Sequence, residues 1–246
     1  MIWVYGICER AAGSCLRNKG LADAPLEGVV EGELLAVVSR HDEPPEVGAL
    51  GGLWAHEQVV EALMADGPVL PMRFGSQLPA AAALRAVLSR RHDELLGALN
   101  GVRGRVELAV RAMRPDETAP SGRAGAASVR RADDAVTEPG HHTGLEYVRA
   151  RLELGDRVAA AGASLHAPLA AVAAADSRFP ARAPGEVLRA SYLVDRSAVA
   201  AFRGLVQQLQ AEHRNLSVLC TGPWPPYSFV DVPVVSAAVA DAGRSG

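Results

Sequence analysis

Lysine is almost missing from this chain: Lys19 is the only one, and arginine carries nearly all the positive charge. The formal net charge is −3, so no global pull toward nucleic acid or an anionic membrane is expected. The arginine goes with alanine richness and reads as genome composition rather than phosphate recognition. Cysteine is scarce too. Cys8, Cys15 and Cys220 form an odd set without CxxC spacing, which argues against a disulfide framework or a zinc knuckle and for a reducing compartment. No apolar run approaches the roughly 20 residues that cross a bilayer. The opening MIWVYGICER has no basic leader ahead of an apolar stretch. These absences together lead us to expect a soluble cytoplasmic protein.

Catalytic signatures are lacking as well. There is no GxGxxG, GxxxxGK[ST] or GxSxG pattern. His56–Glu57 opens like a zincin motif, but HEQVV has no second histidine one turn on. A lone histidine on an apolar helical face reads as a hydrogen-bonded structural residue. Arg73 reads as a strand-end arginine pairing with a local acid, and His166 and the His141–His142 pair complete no ligand set. No catalytic residue, metal ligand or cofactor is expected.

What is present builds a core. Hydrophobic residues make up 49% of the 246 positions and charged residues 22%, the balance of an ordinary globular protein. Strands are expected at Ile2–Cys8, at Val29–Val30 with Leu34–Ser39, at Val69–Phe74 (an edge or bulged strand because of Pro71) and at Val102–Met113. Helical spacing covers Leu53–Ala65, with Leu53, His56, Val59, Val60, Leu63 and Met64 on one face. It covers a second helix opened by Pro79 and carrying Leu84, Val87, Leu88, Leu95 and Leu99. Residues 114–142 lose all periodicity and read as a mobile insertion. Thr143 and Glu146 form a capping box for a long helix, expected to kink or break at Pro168. A strand or strand pair within 180–194, a helix capped by Asp195 or Ser197 and bearing Val199, Phe202, Val206 and Leu209, and a strand at Leu216–Cys220 follow.

The order in the second half is that of a βαββαβ ferredoxin-like sandwich with a weak second strand. The fold class is therefore α+β. The division expected is an N-terminal α/β domain over 1–100, a C-terminal ferredoxin-like domain over 101–235, and a tail over 236–246.

One stretch stands out. TGPWPPYSFV at 221–230 places Trp224 among Pro223, Pro225 and Pro226, with Tyr227 and Phe229 behind. Proline lacks an amide donor and fixes φ, so these aromatics are held before they meet anything. They either cap the protein's own core or form a surface for a partner. Our expectation divides them, with Trp224 buried and Tyr227 or the prolines nearer a binding surface.

That motif and VLPMRFG at 69–75 resemble the gas vesicle synthesis L/F family (GvpL/GvpF). VYGI at 4–7, LLAVVSR at 34–40, HEQVVE at 56–61, GLEYVRARL at 144–152 and ASYLVDR at 190–196 extend the resemblance over about nine-tenths of the chain. It implies a non-enzymatic accessory protein for building gas vesicles, contacting the hydrophobic shell protein and other accessory proteins. It also implies two α/β domains, the second a modified ferredoxin-like one. Trp224, Pro225, Pro226, Tyr227 and Phe229 are then the candidate partner-binding residues. The alternative is a small-molecule-binding or enzymatic ferredoxin-like protein, which needs at least two of His56, Arg73 and His166 to converge on a polar pocket.

Overall fold

The structure is a computed structural model that describes residues 1–11, 14–43, 45, 50–114 and 144–230. The expected insertion at 114–142, the capping box at Thr143 and the tail at 236–246 lie outside the described residues, apart from Arg114.

The first sheet is antiparallel and centred on β1 (Ile2–Glu9). β3 (Leu34–Arg40) flanks it on one side, with β2 (Leu26–Glu31) beyond; β4 (Val69–Pro71) and the short β5 (Gln77–Leu78) pair with its other side. Ile2 and Val4 enter one core, Trp3 and Tyr5 the other. Strict alternation would next send Ile7 after Trp3 and Tyr5. A bulge between Val4 and Gly6 inserts one residue, so Ile7 joins Ile2 and Val4 while Cys8 joins Trp3 and Tyr5. Helices cover both faces. α1 (Leu50–Asp66) lays His56, Val59, Val60 and Leu63 on the Trp3 side, and Leu84, Leu88, Leu95 and Leu99 cover the Ile2 side. A strand buried on both faces reads as a continuous apolar run, which is what IWVYGIC is.

The helix expected after Pro79 is two helices, α2 (Ala81–Arg90) and α3 (His92–Val102). The chain leaves helical geometry at Arg91 (φ −114°, ψ 20°). There Asp93 and Glu94 supply the first-turn acids that suit a new helix start, and Arg91 pairs with Glu94.

The second sheet, also antiparallel, runs β7-β8-β6-β9. Along the chain come β6 (Arg105–Met113), α4 (Gly144–Val172), β7 (Ala175–Arg178), β8 (Glu186–Asp195), α5 (Val199–Glu212) and β9 (Ser217–Trp224). Leu165 and Leu169 of α4 and Phe202, Val206 and Leu209 of α5 pack onto Leu108, Val110, Leu188, Ala190 and Tyr192. Three expectations shift. The weak strand lies at Ala175–Arg178, before the span 180–194, because α4 ends at Val172. α4 stays helical through Pro168, whose missing N–H forfeits a single bond near the helix end. No side chain caps α5: Asp195 binds Arg105 Nε at 3.1 Å, and a 3₁₀ turn over Arg196–Ala198 leads into the helix.

β9 is an edge strand, and α5 covers its outer side. Gln210 accepts from the Val218 amide (2.6 Å) and donates to the Leu216 carbonyl (2.7 Å), while Arg203 donates to the Gly222 carbonyl (2.5 Å). These side chains occupy the positions a neighbouring strand would take. Gln210→Ala is expected to lower stability by about 1 kcal/mol. It should also increase concentration-dependent association measured by light scattering.

Candidate functional site

The end of β9 shifts register against β6 around Gly222, between the pairs Ala109 with Thr221 and Glu107 with Trp224. The Gly222 φ of +112° suits glycine, and a Cβ there would stand 2.7 Å from the Glu107 carbonyl. The chain then turns, and Pro225 and Pro226 are buried. In the 3₁₀ turn Tyr227–Phe229, Tyr227 Oη donates to Glu57 Oε1 of α1 at 2.9 Å. The Ser228 amide and hydroxyl donate to the two carboxylate oxygens of Glu107 at 2.8 and 2.7 Å. Phe229 and Val230 pack into the Ile2-side core, joined there by Leu193 of β8, and Tyr227 packs into the Trp3-side core. The segment therefore clasps the second sheet to the first. Burial raises the Glu57 carboxyl pKa, opposed by the Tyr227 hydrogen bond and reinforced by Glu61. Burial likewise pushes the Tyr227 phenol well above its ordinary value, so it remains a neutral donor.

This reverses the division expected within the motif. Trp224 is 43% exposed, its indole nitrogen 3.3 Å from Thr221 Oγ1, while Pro225 and Pro226 are buried and Tyr227 packs inward. The reason is backbone geometry. Trp224 is still paired with Glu107 at the sheet edge, and the inward turn comes only with Pro225.

α1 presents a second exposed group. Gly52 faces Leu21 and Phe74. Trp54, about 200° further round at 100° per residue, points away from the protein. Leu50 is 87% and Trp54 65% exposed, and Leu53, expected on the buried face, is exposed as well. The signal was available in the spacing: Leu50 and Trp54 lie four apart, off the His56–Val60–Leu63 stripe.

His56 and His166 serve structure. His56 Nδ1 accepts from Trp3 Nε1 (2.9 Å), so its proton sits on Nε2, which donates to the Met72 carbonyl (2.8 Å). It stacks on Tyr5 with ring centroids 5.2 Å apart, and burial holds its pKa below the ordinary value. His166 Nδ1 is 2.8 Å from Tyr192 Oη and its Nε2 is 3.3 Å from Asp176. Arg73 is exposed, and among the described residues no acid pairs with it, contrary to the local pair expected. His56, Arg73 and His166 do not converge. A cavity of about 310 Å³ between the two halves is lined by Arg103, Arg105 and Arg196. These are engaged by Glu9, by Asp195 and by the Met64 carbonyl respectively. Among the described residues no group of three His, Cys, Asp or Glu side chains could hold a metal ion, and no helix is long and apolar enough to cross a membrane.

The profile described as "Gas vesicle synthesis protein GvpL/GvpF" matches residues 1–231. The chain belongs to this family. It is 33% identical to "Gas vesicle protein F" of Streptomyces sp. (strain CB03234) over 93% of this chain and 99% of that protein. It is 30% identical to "Gas vesicle protein L" of the same organism, over 87% of this chain and 86% of that one. The crystal structure of the gas vesicle protein GvpF from Anabaena sp. PCC7120 superposes with a TM-score of 0.76 at 16% identity, covering 94% of this chain and 96% of that chain. That structural likeness speaks to the fold. GvpL/GvpF membership ties the chain to gas vesicles, and the expected α+β class stands with two antiparallel sheets.

Proposed function

We propose that this GvpL/GvpF member is a non-enzymatic assembly factor. On this reading it binds the hydrophobic gas vesicle shell protein and other accessory proteins, in the cytoplasm and at the vesicle. A shell that excludes water from its inner face needs an apolar, aggregation-prone subunit, and a factor handling it needs exposed aromatic surface. The observation carrying this is Trp224: exposed, yet held at the root of a segment whose prolines are buried and whose Tyr227 and Ser228 are hydrogen-bonded on both sides. Such an anchor loses little entropy on binding. Within the motif, Trp224 makes the contact and Pro225, Pro226, Tyr227 and Phe229 position it.

We read each sheet with its helices as a domain, joined near Gly101–Gly104. The second is a modified ferredoxin-like domain, supported by its βαββαβ order and by the strand sequence β7-β8-β6-β9. The test is capture of purified shell protein kept in solution. Trp224→Ala is expected to lower capture at least about fivefold while the fold is retained. Capture equal to wild type would remove Trp224 from the site, and no capture by wild type would remove the function.

A further inference from the structure

α1 carries a stripe that the core does not use and of which the clasp touches only Glu57. At 100° per residue, Leu50, Trp54, Glu57 and Glu61 fall within about 60° of one another on the helix, spaced i, i+4, i+7 and i+11. The first two are exposed apolar side chains, at 87% and 65%. The last two are carboxylates, Glu61 exposed and Glu57 half-buried. α1 contains no lysine or arginine. Among the described residues neither carboxylate is in an ion pair. Glu57 accepts a hydrogen bond from neutral Tyr227, which supplies no counter-charge.

We infer that this stripe docks an amphipathic helix of a gas vesicle partner, with an apolar face that meets Leu50 and Trp54 and lysine or arginine one to two turns along that meets Glu57 and Glu61. This rests on the assembly reading, which supplies the class of partner, and adds the surface and the chemistry. The occupant follows from charge. A purely apolar partner would leave two carboxylates beside it without counter-charge, and an acidic one would be repelled, whereas a basic-flanked helix satisfies both halves of the stripe. The tryptophan is the kind of large, rigid side chain that anchors such contacts. The stripe is distinct from Trp224, which sits on β9.

The probe is a synthetic helical peptide of about 14 residues, near the minimum for an isolated helix. One version has a leucine face bordered by lysines and the other has glutamates in their place. Binding to the full chain is followed by Trp54 fluorescence and by calorimetry. The lysine peptide is expected to bind and the glutamate peptide not to, with binding weakened by salt. Trp54→Ala should weaken lysine-peptide binding about tenfold or more. Glu61→Lys, an exposed change that leaves the Tyr227 bond intact, should weaken it and admit the glutamate peptide. Equal binding of both peptides, or lysine-peptide binding unchanged in Trp54→Ala and in Glu61→Lys, would overturn the inference. Shell-protein capture by wild type, run in parallel, separates the two claims. Its absence beside Trp54-dependent peptide binding removes the assembly reading and keeps the docking surface. Its presence beside unaltered peptide binding in the variants removes the surface alone.

Discussion

His56→Ala is expected to destabilise the protein by about 3–5 kcal/mol, among the largest losses a single substitution should cause here. Three contributions act together. The ring is fully buried between Trp3, Tyr5 and Phe74, so truncation leaves a cavity beneath α1. The Trp3 indole N–H loses its acceptor, and the Met72 carbonyl loses its donor. Each orphaned buried group costs about 1–3 kcal/mol. His56→Phe separates the effects, because it fills most of the cavity while leaving both polar groups unpaired. Chemical denaturation should place it between wild type and His56→Ala. A His56→Phe variant as stable as wild type would mean that the two hydrogen bonds contribute nothing.

The same residue gives stability a pH dependence of known sign. Burial lowers the folded pKa of His56 below its ordinary value of about 6.5, so the unfolded chain takes up the proton first. Its stabilising contribution is complete above the unfolded pKa and is lost as pH falls through the range below it. Glu57 works in the opposite direction, since its raised carboxyl pKa favours the fold as pH falls. Glu9 and Glu186, whose pKa values are lowered, lose stabilisation on acidification as His56 does. The difference between wild type and His56→Phe therefore isolates the histidine, and it should shrink between pH 7 and pH 5.

The structural role of His56 was legible from one sequence fact, the missing second histidine, but its partners were not. Trp3 and Met72 are 53 and 16 residues away, and only the pairing of the chain after β4 with β1, where the Met72 amide bonds the Tyr5 carbonyl, brings them to one ring. The elements themselves followed periodicity well. β1, β3, α1, β6 and α5 lie where apolar spacing puts them. The departures have local causes that composition hides: non-helical angles at Arg91, a polar four-residue strand ADSR with no apolar alternation, and a helix start without a side-chain cap. The proline motif could be recognised as rigid, but rigidity does not say which aromatic faces inward. That choice follows from where β9 stops pairing with β6, and it is held by Glu57 and Glu107, charged residues more than a hundred positions upstream.

Tyr227→Ala is expected to cost about 2–4 kcal/mol, while Trp224→Ala costs less than about 1 kcal/mol. The larger aromatic should matter less to stability because it is the exposed one. Removing the Tyr227 ring withdraws a side chain from the Trp3-side core and leaves the half-buried Glu57 carboxylate without its donor. Tyr227→Phe keeps the packing and loses only that donor, so it should fall about 1–2 kcal/mol below wild type. Because the clasp joins two sheets, its loss should also weaken their coupling: hydrogen exchange in Tyr227→Ala should rise at β6 and α1 together, more than in β3. Trp224→Ala leaves Thr221 as its only lost side-chain hydrogen-bond partner among the described residues. Melting curves on the two alanine variants decide the matter. A Trp224→Ala loss exceeding that of Tyr227→Ala would mean that the tryptophan, not the tyrosine, closes the core.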